Sequence, residues 1–268
     1  MRNNLIVATL LLGVLSLGSC GRNGSKSSTD NLGFTFDSVK IDTIAALVQK
    51  EGSPRCELHI NMIYAKGDKG DVLNETLIKS GILTPDYLGL VKEKMSVPDA
   101  VDSFMTRYIA DYRKTFGYIY KQDPTAASLN TQYDVKTKVE MGRNGVVSYI
   151  ASTYRYEGGA HGISSTVVKN IDPKTGKVLT LKDVFLTGSN SHLKDLIVEK
   201  LQEKANVDNL KALQDKGYFM DMTPYVTDNF ILGTDKVIFI YCSDEIAPHV
   251  LGEIRVELPV SDIDEYLK

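Results

Sequence analysis

The chain has 268 residues, of which 43% are apolar and 24% are charged, and this composition is ordinary for a globular protein. The formal net charge is −3, and it becomes −4 if Arg2 is removed with a leader segment (−3 minus the +1 of Arg2). An acidic chain of this kind lacks the positive charge that binding to nucleic acid or to anionic lipid requires, so neither is expected as a partner.

The first segment has the pattern of a bacterial lipoprotein leader. Arg2 precedes an apolar stretch from Leu5 to Leu17, which is shorter than the ~20 residues that cross a bilayer as a helix. Leu17-Gly18-Ser19-Cys20 then resembles a lipobox, in which the cysteine thiol accepts lipid. We expect residues 1–19 to be a lipoprotein signal peptide and Cys20 to be lipidated. The alternatives are an uncleaved anchor and a secreted protein with an incidental Cys20.

A polar tether follows the leader. Gly21 to Asn31 contains no apolar residue, so this stretch cannot bury enough surface to fold. As a flexible coil it spans roughly 20 Å on average. Residues 20–32 are therefore predicted to be a lipidated flexible tether. The folded region would lie outside the cytoplasm, in the cell envelope, with the membrane as a partner through the lipid on Cys20.

Residues 33–125 are predicted to form an N-terminal α+β unit. Two strands are expected, at Phe34 to Ile44 and at Cys56 to Tyr64, where apolar and polar residues alternate in the second. A short helix is expected from Asp71 to Ile82. A longer helix begins after Ser96, a typical N-cap residue, and its apolar stripe continues to Ile119.

Residues 126–268 are predicted to form a C-terminal α+β domain, with the boundary between Lys121 and Thr131. Asn144-Gly145 favours a hairpin with a two-residue turn. In that register one face is apolar and aromatic, and it places Tyr154 and Tyr156 in the core. The predicted pairs on this face are Val139 with Ile150, Thr137 with Ser152, Val135 with Tyr154 and Tyr133 with Tyr156.

The remaining elements complete an α+β pattern. A second hairpin is expected to turn at Asp172 to Gly176, and a helix is expected to be capped by Ser189 or Ser191. Further expected elements are an apolar hairpin of Phe230–Leu232 with Val237–Tyr241, a strand at Leu251–Leu258 and a short final helix. The predicted fold class is α+β, with antiparallel sheets, packed helices and two consecutive α+β units.

Two polar clusters are candidate binding sites. The first contains Glu157, Gly158, Gly159, His161 and Gly162. Its glycines permit unusual backbone conformations, which suit either a backbone nest for a carboxylate or phosphate or a tight arch between strands. We favour the arch.

The second cluster contains Glu245 and His249, but Pro248 makes a continuous helix there unfavourable. A metal site built from Glu157, His161, Glu245 and His249 has no supporting ligand spacing, so no metal or other cofactor is expected. The signatures G-x-S-x-G and H-E-x-x-H are absent from the sequence, and we assign no catalytic residue. Cys56 and Cys242 could form a disulfide in an oxidising envelope or remain as buried thiols.

Several motifs resemble those of a bacterial envelope domain family of unknown function. They are Glu157 to Gly162, Asn170 to Lys177, Leu181 to Phe185 and Tyr241 to Gly252. The family is shared with the extracytoplasmic part of the lysozyme-binding anti-sigma factor RsiV and with non-catalytic regions of some peptidoglycan deacetylases. The resemblance covers about residues 130–268 and is weaker in the preceding half of the chain. It implies α+β units that bind a ligand rather than catalyse a reaction.

Three functions are compatible with these observations. The leading hypothesis is a membrane-anchored envelope lipoprotein that acts as a non-catalytic binding module for a protein, such as lysozyme, or for a cell-wall ligand such as a peptidoglycan fragment. The second is a hydrolase that acts on envelope glycan or peptide through His161 and nearby acids. The third is a structural subunit of an envelope lipoprotein complex.

Overall fold

The computed structural model describes residues 33–268, so the predicted signal peptide, Cys20 and the tether lie outside the described residues. Within this range the fold is α+β, as predicted. It contains a six-stranded sheet with the order β1-β2-β3-β4-β5-β6 and a three-stranded sheet with the order β7-β8-β9. The strands are β1 Thr35–Ala46, β2 Arg55–Lys66, β3 Thr131–Met141, β4 Val147–Tyr156, β5 Ile163–Ile171, β6 Val178–Leu179, β7 Phe230–Leu232, β8 Lys236–Tyr241 and β9 Ile254–Pro259.

Helices cover one face of each sheet. The α-helices are α1 Asp71–Lys79, α2 Val97–Gln122, α3 Leu181–Val184, α4 Asn190–Ala205, α5 Leu210–Asp215 and α6 Val260–Ile263. The predicted N-cap is present, because the Asp99 backbone N–H donates to Ser96 Oγ at 3.2 Å at the start of α2. None of the helices in residues 33–268 combines the length and apolar composition of a bilayer span.

One strand pair departs from the predicted antiparallel arrangement. β2 pairs with β3 in parallel, with Cys56 opposite Thr131 and His59 opposite Asp134. The chain between these strands contains α1 and α2, which is the crossover that a parallel pair requires. Through this ladder one sheet continues across the predicted boundary at 121–131.

The register predicted for the β3–β4 hairpin is wrong by one residue. Val139 lies opposite Tyr149, and Val135 lies opposite Thr153. The Gly142 N–H donates to Val146 O, so the loop contains three residues, of which Asn144 and Gly145 have positive φ. A Cβ at Gly142 would lie 1.9 Å from Leu232 O. The close approach of the Gly142 backbone to β7 helps to fix the conformation of the loop. This contact cannot be predicted from the local sequence.

The core has three parts. The first lies between the six-stranded sheet and the helices α1 and α2, and it includes Leu58, Ile60, Phe104 and Tyr149. The second lies between the three-stranded sheet and the helices that follow β6. A third and smaller part joins the two sheets face to face and consists of Ile150, Val168, Ile231 and Ile240.

Two asparagines, the buried Asn170 and the half-buried Asn229, connect the sheets where no β-ladder joins them. Asn170 Nδ2 donates to Phe230 O at 2.8 Å, and its Oδ1 accepts from the Leu232 N–H at 3.2 Å. Asn229 Oδ1 accepts from the Val168 N–H at 2.8 Å, and its Nδ2 donates to Thr166 O at 2.7 Å. These amides satisfy backbone groups that would otherwise be buried without partners.

The two cysteines in this range, Cys56 and Cys242, are free thiols. Cys56 is fully buried in the core beneath α2, whereas Cys242 lies at the end of β8, where its Sγ is 3.5 Å from Thr166 O. Burial raises the pKa of both thiols, which keeps them protonated and unreactive.

Candidate functional site

The face of the six-stranded sheet that is not covered by α1 and α2 carries an open polar trough. Two rows of side chains cross the strands there, because residues that are opposite in register point to the same face. The acidic row is Asp42, His59, Asp134, Tyr154 and Ser164, and the lysine row is Lys40, Asn61, Lys136, Ser152 and Thr166, each given in order from β1 to β5.

The three-stranded sheet closes one side of the trough. Its loops contribute Ser243, Gly252 and Glu253, and the open cavity has a volume of about 660 Å³. This volume is within the range of small-molecule sites in proteins. The trough therefore has the size and the concave shape of a ligand site.

Most charged groups in the trough already have partners. Lys40 Nζ lies 2.9 Å from Asp42 Oδ2, and His59 Nδ1 lies 3.0 Å from Asp42 Oδ1. Glu253 Oε1 accepts from Arg255 Nε at 2.7 Å. These pairs hold the side chains in place at the periphery of the site.

Asp134 and Lys136, in the centre of the trough, are exceptions. Asp134 Oδ2 accepts from Gln132 Nε2 at 2.8 Å, but Asp134 Oδ1 is buried and has no hydrogen-bond partner among residues 33–268. Lys136 is exposed and forms no ion pair within this range. The site thus contains an unpaired acceptor and an unpaired cation on adjacent positions of one strand face.

Tyr154 lines the trough, so its predicted position in the core is wrong. The one-residue shift of the hairpin places Tyr154 opposite Asp134, on the face away from α2. Its ring is half-buried against the glycine-rich segment, where a Cβ at Gly162 would lie 2.5 Å from Tyr154 Cζ. Tyr156 is also half-buried, and its hydroxyl donates to Gly159 O at 3.1 Å.

The glycine-rich segment forms the arch between β4 and β5. Gly158 has φ +83°, and a Cβ there would lie 2.3 Å from Ser128 Cα. Gly159 has φ +107° with nothing within 4 Å of an added Cβ. Close backbone packing therefore accounts for Gly158, positive φ accounts for both glycines, and room for the Tyr154 ring accounts for Gly162.

The structure brings the two candidate histidines together. The rings of His161 and His249 have centroids 4.4 Å apart, with an interplanar angle of 38°. His249 Nδ1 lies 2.8 Å from Asp244 Oδ2. Asp244 follows Ser243 and His249 precedes Gly252 by three residues, so this exposed cluster adjoins the side of the trough.

The two candidate glutamates are in other surroundings. Glu157 Oε1 lies 3.6 Å from Arg155 Nε, and the Glu157 side chain lines a different cavity together with Tyr108 and Asp111. Glu245 accepts hydrogen bonds from the Tyr225 hydroxyl at 2.6 Å and from the Cys242 N–H at 2.7 Å. Both carboxylate oxygens of Glu245 thus hold the turn after β8.

Within the described range, no group of three or more His, Cys, Asp or Glu side chains could hold a metal ion. The trough itself is not among the sequence-based candidates. The relevant signal is the alternation of polar residues along β2, β3, β4 and β5. Each strand alone has the pattern of an ordinary solvated face, and the site arises only when the strand order and register bring these positions into two rows.

The comparisons with known proteins agree on one family. Residues 182–261 match the family model described as "Protein of unknown function (DUF3298)". No curated protein matches the sequence. Two crystal structures cover most of the chain and show a similar fold.

The first is a member of the DUF3298 family from Bacteroides fragilis, with 26% identity and a TM-score of 0.79 over 89% of this chain and 95% of that chain. The second is a DUF3298 family protein from Pseudomonas aeruginosa PAO1, with 17% identity and a TM-score of 0.58 over 88% and 94%. The second similarity concerns the fold alone. On this evidence, residues 182–261 are similar to the DUF3298 family domain, and the chain shares its α+β architecture with solved members of that family.

Proposed function

We propose that the protein is an envelope lipoprotein whose folded region binds an extracytoplasmic ligand without converting it. The trough is the observation that carries this proposal. It presents neutral hydroxyl groups, an amide and charges of both signs on a rigid sheet, and such groups recognise a polar ligand by hydrogen bonds and charge. Rigid strands keep these donors and acceptors in place before the ligand arrives, which lowers the entropic cost of binding.

The proposed location depends on the leader sequence. Lipidation of Cys20 would hold the folded region near the membrane through the polar tether. Metabolic labelling with a palmitate analogue, followed by cell fractionation, tests this part. We expect a labelled protein in the membrane fraction and an unlabelled Cys20→Ser variant. An intact leader on unlabelled, cytosolic protein would contradict it.

Two ligands are proposed for a first binding experiment. Lysozyme is suggested by the resemblance to the extracytoplasmic part of RsiV, and peptidoglycan fragments are suggested by the resemblance to regions of peptidoglycan deacetylases. Each is titrated calorimetrically into the full chain in detergent. We expect saturable heat with one of them and no change in the ligand's mass after incubation. Absence of heat with both would contradict this proposal.

The histidine cluster favours a second candidate function, hydrolysis of envelope glycan or peptide. Asp244 could orient the His249 imidazole, and the adjacent His161 is exposed at the side of the trough. If turnover of an envelope substrate is observed, His161→Ala should abolish it. Glu157→Gln should leave it unchanged, because Glu157 lines a different cavity. Unchanged turnover in His161→Ala would eliminate this mechanism.

A further inference from the structure

We infer that the trough binds a short linear peptide whose two ends are a free ammonium and a free carboxylate. This inference rests on the proposed function and names the ligand chemistry of the same site. It commits to a peptide with both ends free rather than to a glycan.

The unpaired charges in the trough give the first reason. Asp134 Oδ1 is buried without a donor, and a buried carboxylate oxygen without a hydrogen bond is costly. A ligand ammonium supplies the missing donor together with the opposite charge. Lys136 Nζ, which has no carboxylate within 4 Å among residues 33–268, offers the complementary contact to a ligand carboxylate.

The spacing of these groups gives the second reason. Asp134 and Lys136 are two residues apart on β3 and point to the same face, so their Cα atoms are separated by about 7 Å. An extended dipeptide spans at most about 7 Å, and a tripeptide at most about 11 Å. A peptide of this length can therefore place its ammonium at Asp134 and its carboxylate at Lys136.

The neighbouring residues suit the rest of such a peptide. Ser152 lies opposite Lys136 and Tyr154 lies opposite Asp134, both on β4. The serine hydroxyl can donate to or accept from peptide groups. The half-buried Tyr154 ring offers an apolar surface for a small side chain. An uncharged glycan satisfies these neutral groups equally well, but it leaves both central charges without a counterpart.

An NMR titration of the full chain in detergent with three probes tests the inference. The probes are trialanine, N-acetyl-trialanine and trialanine amide. We expect trialanine to bind with shifts confined to the trough, and each blocked probe to bind about tenfold or more weakly, because one charged hydrogen bond is lost.

Two variants assign each end of the peptide. Asp134→Asn should lower the affinity for trialanine about tenfold and leave the affinity for N-acetyl-trialanine unchanged. Lys136→Met should lower the affinity for trialanine and leave the affinity for trialanine amide unchanged. Glu140→Gln and Lys138→Met are the matched controls, since these residues lie on the same strand face, pair with each other at 2.8 Å and do not line the trough. Both controls should bind trialanine like the wild type.

Three outcomes would overturn the inference. They are failure of trialanine to bind, equal affinity for all three probes, and unchanged binding in both trough variants. A peptide-free oligomer of N-acetylglucosamine that binds in the trough as tightly as trialanine would also overturn it, while leaving the proposed binding function intact. The proposed function itself fails only if lysozyme and peptidoglycan fragments give no heat.

Discussion

The imidazole of His161 packs against the imidazole of His249 with ring centroids 4.4 Å apart, and this contact joins the arch after β4 to the short 3-10 helix His249–Leu251 before β9. The six-stranded sheet and the three-stranded sheet are thus connected beside the trough as well as through Asn170 and Asn229. The contact is partly exposed, so its stabilising effect is expected to be modest.

The histidine contact predicts a measurable effect on stability. His249→Ala removes an aromatic pair and the hydrogen bond to Asp244, and it should lower the free energy of unfolding by about 1 kcal/mol. Urea denaturation measures the change. Val250→Ala is the control, because the neighbouring Val250 is 89% exposed and its truncation should cost below about 0.5 kcal/mol. Equal losses in the two variants would show that the ring contact contributes nothing.

Alanine substitutions at the two adjacent glycines of the arch distinguish the effect of steric overlap from the effect of backbone strain. Both Gly158 and Gly159 have positive φ, so alanine at either position should cost about 1–2 kcal/mol in strain. Gly158→Ala also places a Cβ 2.3 Å from Ser128 Cα, and we expect a further loss of about 1–3 kcal/mol. Thermal or urea unfolding should therefore show a clearly lower stability for Gly158→Ala than for Gly159→Ala. The reverse order would mean that the arch does not pack on residues 127–128.

The asparagine bridge between the sheets predicts a larger loss. Asn170 is 2% exposed, and Asn170→Ala leaves the Leu232 N–H and the Phe230 carbonyl without their side-chain partner. We expect the free energy of unfolding to fall by about 2–4 kcal/mol. Asn190→Ala, at the exposed start of α4, should change it by below about 0.5 kcal/mol. A neutral Asn170→Ala would contradict the bridging role.

The β6–α3 junction predicts a dependence of stability on pH. The pKa of Asp183 is held well below its ordinary value by hydrogen bonds, first from Lys177 and then from the Thr180 backbone and hydroxyl. A carboxyl with a depressed folded-state pKa stabilises the fold above its unfolded pKa, about 3.9, and this contribution is lost as pH falls through the folded-state pKa. Wild type should therefore exceed Asp183→Asn in stability at pH 7, and the gap should narrow below about pH 4. A stability difference between wild type and Asp183→Asn that widens on acidification would contradict a lowered pKa for Asp183.

Local sequence patterns predict most elements of this fold. The N-cap at Ser96, the positive φ at Asn144-Gly145 and the turn at Asp172–Gly176 follow from residue chemistry within a few positions. The hairpin register does not, because Gly142 packs against Leu232 from a distant strand. A tertiary contact thus selects a three-residue loop over the two-residue turn that the dipeptide favours.

The trough could not be predicted for the same reason. Asp134 and His59 are neighbours only because β2 and β3 pair in parallel across a helical crossover. Tyr154 joins them only in the observed hairpin register. The glycine-rich motif attracted attention because its composition is unusual, whereas the polar residues of the trough have unremarkable local sequences. Strand order and register, which are long-range properties, create the site.

Blocking the trough tests the central claim most directly. Ser152 is exposed next to Lys136 in the lysine row, and Ser152→Trp should fill the cavity without disturbing the core. Thr106→Trp, at an exposed position of α2 on the other side of the sheet, is the matched control. In calorimetric titrations with the ligand that the wild type binds, Ser152→Trp should lose at least about tenfold in affinity, equivalent to 1.4 kcal/mol, while Thr106→Trp keeps the wild-type value. Equal affinity of Ser152→Trp and the wild type, with both variants folded, would contradict the assignment of the trough as the binding site.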